Sequence, residues 1–342
     1  MRLLKTLAIT AAVTAMGGSA LAQTTVNMIN PLPRSTVFYP LVVGEALGYF
    51  EEEGVTVNLL PSDTSIPYVA FVQNGQADLS MLDQNETLSA VLAGANINTV
   101  YEVMQNAPEG IAVLADGGAT DMGGLKGTAV GLVSDRDRAF LQAAMAAEGH
   151  SINDVETVIL GESGPVLARA ITNGDVSAIA GSVFDWAGLQ AAGIELNLIT
   201  PEDLLAAPAN TFAMDASKIE EKREAMEGFM RAWSKGIHVS TLRPDVVEKM
   251  LREAVPEEWE DEAAGKSLLE GVIPMNISST ERYGDVQTQV WTDIQPRMIE
   301  AGAISGKVDV NTFLNDTYIE AANDFDRDEV AAEVEAWAAE NM

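Results

Sequence analysis

The sequence predicts an α/β fold divided into two lobes, on three observations. Residues 38–61 (F-Y-P-L-V-V-G-E-A-L-G-Y-F-E-E-E-G-V-T-V-N-L-L-P) read as a helix leading directly into a strand. Units of the same kind recur as far as residue 214. The segment A-F-V-Q-N-G-Q-A-D-L-S-M-L-D at 70–83 is echoed by A-I-T-N-G-D-V-S-A-I-A-G-S-V-F-D at 170–185, each a helix, an Asn-Gly turn, a strand and a polar loop. Alternating strands and helices build parallel sheets whose faces are covered by helices. An echo at the same step of two such series implies two lobes of like topology.

Taken in order, Val26 and Met28 alternate within 25–30 and predict a first strand. Over 41–53, Val42, Val43, Ala46, Leu47 and Phe50 recur at helical spacing, and Gly54 supplies a left-handed stop. Val55, Val57 and Leu59 then alternate as a strand closed by Pro61. A second unit has a helix at 65–74, a strand at 77–82 and the polar loop Asp83-Gln84-Asn85-Glu86. A helix at 87–93 stops at Gly94, and 98–103 reads as a strand. The stretch G-I-A-V-L-A-D-G-G at 110–118 is a strand running into a glycine-rich turn, where the first hinge is placed.

Beyond it lie a strand at 126–133 and a helix at 138–148 with capping chemistry in S-D-R-D at 134–137. A strand at 155–160 precedes a helix opened by Pro165. Strand 196–199, short helix 201–206 and strand 210–214 follow, the last taken as the return crossing. The remainder is helical: an amphipathic 218–242, a helix begun by Pro244, then 257–271, 280–301 with Pro296 inside, and 326–341 with Val330, Val334 and Trp337 on its apolar face. The expected division is a signal peptide at 1–22, lobe 1 at 23–112 and 213–325, lobe 2 at 113–212, and an acidic C-terminal helix at 326–342.

Arg2 and Lys5 precede an apolar run at 7–16, and Ala20-Leu21-Ala22 forms a small-residue cleavage site before Gln23. This describes a secretory signal peptide cleaved near Ala22/Gln23, and a mature protein in a periplasm. The run is shorter than the roughly 20 apolar residues of a spanning helix, so no stable membrane insertion is expected. Cysteine is absent, which removes disulfides, thiol redox motifs and a cysteine-borne lipid anchor. The chain carries a net charge of -31, and removing residues 1–22 takes away two positive charges and no negative ones, leaving -33. Such a field disfavours nucleic acid and anionic membranes. With 342 residues, 47% of them hydrophobic, the chain can bury the cores of two lobes, and it is expected to be a monomer.

Catalytic signatures are missing. His150 and His238 are the only histidines, with no H-E-x-x-H, G-x-G-x-x-G or P-loop, and G-E-S-G-P at 161–165 lacks the spacing of a nucleophile elbow. Neither a metal nor a cofactor is expected.

Four motifs carry a family resemblance: L-G-Y-F-E-E-E-G at 47–54 with its strand, Q-N-G-Q-A-D at 73–78, L-K-G-x-x-V-G at 125–131 and A-G-A-I-S-G-K-V-D-V at 301–310. Together they resemble periplasmic solute-binding proteins of ABC importers. More narrowly, they are similar to the NMT1/THI5-like group, which takes nitrate, sulfonates such as taurine, and thiamine-precursor pyrimidines. The resemblance covers essentially the whole mature chain. It implies a two-lobed periplasmic binding protein type II fold, a ligand cleft between the lobes, a small-molecule solute, a membrane permease as partner and no enzymatic activity. Members with different ligands share these motifs, so the resemblance does not select the solute. A related fold builds a thiamine pyrimidine in a cysteine-dependent suicide enzyme, which a cysteine-free secreted chain matches poorly.

Sheets of this kind bind at the carboxyl ends of their strands, where helix N-termini present free N–H groups. That rule selects loops. Arg34, Ser35 and Thr36 follow the first strand and suit an anion, with Tyr39 to stack on a flat ligand; the alternative is a solvated arginine and a packed tyrosine. Asp83, Asn85 and Glu86 suit an amine or amidine, or cap a helix. In the other lobe Ser134, Asp135 and Arg136 form one such turn, Glu162 and Ser163 the next, and Ser182, Asp185 and Trp186 the third; Trp186 covers an apolar ligand face or sits in the core. The carboxylates point to a pyrimidine or small amine, and Arg34 and Arg136 to a sulfonate or other anion. The expected function is capture of such a solute by lobe closure and its delivery to a permease. The alternatives are the ligand-binding module of a periplasmic sensing system and a periplasmic hydrolase.

Overall fold

Among the described residues of this computed structural model, which are 23–32, 34–61, 67–300 and 302–342, ten strands form two sheets. The expected signal peptide lies outside the described residues. The strands are β1 (Thr24–Ile29), β2 (Val55–Leu59), β3 (Leu79–Leu82), β4 (Ile97–Met104) and β5 (Glu109–Leu114), then β6 (Ala129–Leu132), β7 (Glu156–Ile159), β8 (Ala178–Ser182), β9 (Leu196–Leu198) and β10 (Asn210–Asp215). Their orders are β2-β1-β3-β10-β4 and β7-β6-β8-β5-β9. Within the first sheet β2, β1 and β3 are parallel and β10 runs antiparallel to β3 and β4. The second sheet repeats the scheme, with β7, β6 and β8 parallel and β5 antiparallel to β8 and β9. The two echoed segments therefore end in β3 and β8, which hold the same third place in their sheets.

The fourth strand of each sheet arrives from the other one. Leaving β4, the chain crosses at 105–108 and enters the second sheet as β5; leaving β9, it returns through 199–209 as β10. The crossings lie side by side, Ala107 N–H donating to the Leu205 carbonyl at 2.8 Å and Ala209 N–H to that of Met104 at 2.9 Å. This corrects two expectations. The hinge placed at 110–118 begins within β5, as does the boundary after 112, and 210–214 is a strand as expected but paired within the first sheet, the return crossing lying before it. Apolar alternation shows that a segment is a strand; it does not show which sheet accepts it.

The first lobe packs helices Tyr39–Ala46 and Arg223–Leu242 against its sheet, around a cluster in which the Phe212 ring meets those of Phe229 and Trp233. The two helices approach closely at Gly236, where a Cβ would lie 2.6 Å from the Pro40 carbonyl oxygen. The C-terminal helix Arg327–Asn341 buries Val330, Val334 and Ala338 in the same core. In the second lobe Ile111, Val130, Leu132 and Ala180 pack on Leu141 and Met145 of helix Asp137–Ala147. No described helix is long and apolar enough to cross a membrane.

Several expected helices differ. Of the one over 65–74, residues 65 and 66 lie outside the described residues and Val69–Gln73 is helical; the one over 218–242 begins at Arg223, and the one over 257–271 is Glu262–Val272 after a short turn at Pro256–Trp259. The one over 41–53 is Tyr39–Ala46 and Tyr49–Glu52, separated at Gly48, whose φ of 79° leaves the helical region. The one over 280–301 begins only at Thr288, because the preceding loop is tied to β4 and the first crossing. Gln105 Nε2 donates to the Asp285 carbonyl at 2.8 Å, and the buried Glu102 carboxylate on β4 accepts the Gln287 N–H and the Trp291 indole N–H, both at 2.8 Å.

Burial pushes the Glu102 carboxyl from 4.5 up to about 7, against these hydrogen bonds, which favour its charged form. Its native pKa is raised, so the stability it contributes is complete below the unfolded pKa and is lost as pH rises through about 7. The wild type should therefore lose up to about 3 kcal/mol relative to Glu102→Gln between pH 5 and 8. Urea unfolding at the two pH values measures this, and parallel pH profiles would refute it.

Candidate functional site

The parallel strands of both sheets end facing one another across a cavity of about 720 Å³. The loop after β3 brings Asp83, Gln84 and Asn85 to its wall. From the second lobe come Glu109 at the start of β5, Ser134, Arg136 and Asp137 after β6, Glu162 after β7, and Ser182, Phe184 and Asp185 after β8. Phe140 and the helix Thr288–Glu300, through Ile294, Arg297 and Met298, complete it.

Three of these loops are shaped by the same device, a carboxylate folded back on the turn at the start of a helix. Asp83 accepts the Glu86 N–H at 2.7 Å while Glu86 accepts that of Asp83 at 3.1 Å, a reciprocal capping box. Asp137 Oδ2 accepts the backbone N–H of Ser134 at 2.6 Å and its hydroxyl at 3.0 Å. Asp185 Oδ2 does the same for Ser182, at 2.8 Å and 2.7 Å. These bonds satisfy donors that helix starts leave free, and they fix the carboxylates at the cavity wall.

The cavity is acidic. Asp83, Glu109, Asp137, Glu162 and Asp185 line it against two arginines, Arg136 and Arg297. Burial pushes the Glu109 carboxyl upward, and the nearby charges of Asp137 and Asp83 raise it further. Burial also raises Asp83. Carboxylates from both lobes thus repel one another across the cavity, and a positive charge or a set of N–H donors between them would relieve that repulsion. Among the described residues no group of three or more His, Cys, Asp or Glu is placed to hold a metal ion.

Of the residues expected from sequence, Asp83, Asn85, Ser134, Arg136, Ser182 and Asp185 line the cavity, as does Glu162. The group after β1 does not. Arg34 is paired with Glu45 through two bonds of 2.8 and 2.6 Å, and Ser35 caps the following turn by accepting the Val37 N–H. Thr36 donates its N–H to Glu258 and accepts the indole N–H of Trp259 at 3.1 Å. Tyr39 is fully buried with its hydroxyl 2.9 Å from that of Ser240, and burial raises its pKa. Asp135 is paired with Arg138, Glu86 serves the capping box, and Ser163 is the residue before helix Gly164–Thr172. None of these lines the cavity. Trp186 is buried, and it packs as a core indole against Gly110.

Sequence reasoning missed Glu109, Asp137, Phe140, Phe184 and Arg297. Asp137 was visible only as part of the capping sequence S-D-R-D, and Phe184 stood inside the echoed segment. Nothing local marks Arg297, which a long helix brings to a cavity whose acidic residues lie more than a hundred positions away.

Residues 35–246 match the family described as NMT1/THI5 like. The riboflavin-binding protein RibY of Chloroflexus aurantiacus is 25% identical over 292 residues, 82% of this chain and 82% of the relative. The 4-amino-5-hydroxymethyl-2-methylpyrimidine phosphate synthase of Aspergillus parasiticus is 26% identical over 140 residues, 41% of this chain and 40% of the synthase. Among solved structures, the periplasmic aliphatic sulphonate binding protein SsuA of Escherichia coli matches with a TM-score of 0.61 at 14% identity, over 84% of this chain and 96% of that one. The fold is thus the two-lobed one of periplasmic binding proteins. With the family match spanning more than half of its length, this chain belongs to the NMT1/THI5-like family.

Proposed function

We propose that this protein is the periplasmic solute-binding subunit of an ABC importer, and that its cavity captures a small organic solute rich in nitrogen donors. The observation that carries this reading is the convergence of five carboxylates, Asp83 from one lobe and four from the other, on a single cavity. A volume of about 720 Å³ suits one small molecule. Phe140 and Phe184 add aromatic surface against which a flat ring packs. RibY, aligned over most of both chains, is a riboflavin-binding protein, which agrees with a nitrogen heterocycle as the cargo. A ligand touching both lobes stabilises the closed form by its difference in affinity for closed and open states, and the closed form docks on a permease.

A synthase reading has less support. The alignment with the synthase spans 41% of this chain, the chain has no cysteine, and the two hydroxyls on the cavity, Ser134 and Ser182, donate to capping carboxylates. His238 lies away from the cavity, its ring 2.9 Å from the Tyr283 hydroxyl.

In a thermal-shift panel of aminopyrimidines, flavins, amines and simple sulfonates, a nitrogen-rich member should raise Tm by roughly 5 °C at a hundredfold excess over Kd. A panel in which none does would refute the ligand range. Glu109→Gln should weaken that ligand about tenfold, since its uncompensated donors then face a neutral amide. Arg34→Ala should leave affinity unchanged, and Tyr39→Phe should cost about 1 kcal/mol of stability without changing affinity. Calorimetric titration separates these outcomes, and a loss of affinity on changing Arg34 would move the site toward β1.

A further inference from the structure

We infer that the solute carries an anionic group as well as nitrogen donors, and that Arg136 and Arg297, one from each lobe, hold it. This rests on the cavity being the solute site. The chain carries 51 acidic residues against 20 lysines and arginines, so an arginine has many opportunities to pair. Of the eleven arginines among the described residues, seven lie within 4.0 Å of a carboxylate. Two of the other four have a local explanation and do not line the cavity. Arg169 sits in the last turn of a helix, where the carbonyl ends favour a cation, and Arg327 donates to the Glu281 carbonyl and lies over the Tyr283 ring.

Arg136 has none, and Arg297, although it too sits in the last turn of its helix, lines the cavity as Arg136 does. Neither guanidinium forms an ion pair or hydrogen bond with the described residues, although both line the cavity that holds five carboxylates. Those carboxylates are engaged differently. Asp83, Asp137 and Asp185 are turned into capping bonds, and Glu109 is raised by burial and by its acidic neighbours. Both charges of the cavity are thus presented and not internally neutralised.

The two arginines are also held by separate frames. Arg136 follows β6 in the turn fixed by Ser134 and Asp137, and Arg297 lies on the helix whose first turn is anchored to β4 through Trp291 and Glu102. A guanidinium is a planar fork suited to carboxylate, sulfonate or phosphate oxygens. An anionic group bridging the two forks would tie the lobes together, while an ammonium or amidinium on the same molecule faces Glu109 and Asp83. The ligand class is therefore a zwitterion, and a singly charged analogue loses one half of its recognition.

Calorimetric titration of the mature protein with two matched sets tests this: 4-(aminomethyl)benzoate with benzylamine and benzoate, and β-alanine with propylamine and propionate. In at least one set the zwitterion should bind tenfold or more tightly than either partner. Arg136→Gln and Arg297→Gln should each weaken the zwitterion about tenfold, leave the amine unchanged and leave Tm without ligand unchanged or higher. An amine that binds as tightly as its zwitterion and depends on Glu109 overturns this inference while sparing the solute reading, as do arginine variants without effect on zwitterion affinity. Failure of every compound to bind overturns this inference, and the solute reading is then decided by the aminopyrimidine and flavin panel above.

Discussion

Two backbone hydrogen bonds between the crossings, Ala107 to Leu205 and Ala209 to Met104, set the terms for the rest of the molecule. They hold the outgoing and returning chains side by side, so each sheet receives its fourth strand from its neighbour and runs it antiparallel to the adjacent strands. The carboxyl ends of the remaining strands then face one another. The acidic part of the cavity wall follows from that orientation: the turns after β3, β6, β7 and β8, and the first residue of β5. Next to the crossings, Glu102 and Gln105 fasten the loop before helix Thr288–Glu300, so the helix carrying Arg297 is positioned by the end of β4.

The charge of the whole chain and the charge of the cavity are separate matters. Many acidic side chains are exposed on helices, among them Glu51, Glu52, Glu224, Asp328 and Glu329, where they favour solubility and contribute little to stability. Inside the cavity, fewer groups act over shorter distances, and three of them, Asp83, Asp137 and Asp185, are oriented by hydrogen bonds from the turns on which they sit. The repeated turn that places Asp137 and Asp185 is therefore both a helix start and a piece of the site. Cap and cavity wall share the same side chain.

Much of the fold was legible because glycines and Asn-Gly turns separate its units, and because the segments at 70–83 and 170–185 betray the repeated lobe. The destination of a strand was not legible: β5 and β10 each read as ordinary apolar alternation, and only pairing shows that they have changed sheets. The rule that strand ends face the cleft selects loops after β3, β6, β7 and β8 that line the cavity, and a loop after β1 that does not. There, Thr36 meets Glu258 and Trp259, more than 220 positions away, and Tyr39 meets Ser240, so the segment is consumed by packing with helices whose approach no local pattern announces. Arg297 was hidden for the converse reason, since it arrives from a helix outside both α/β series.

A crystal structure of the protein with the solute that stabilises it most tests the central claim directly. The account predicts one molecule between the lobes, with its nitrogen donors against Asp83 and Glu109 and contacts to both sheets. A molecule held by one lobe alone, or seated at Arg34 and Tyr39, would contradict it.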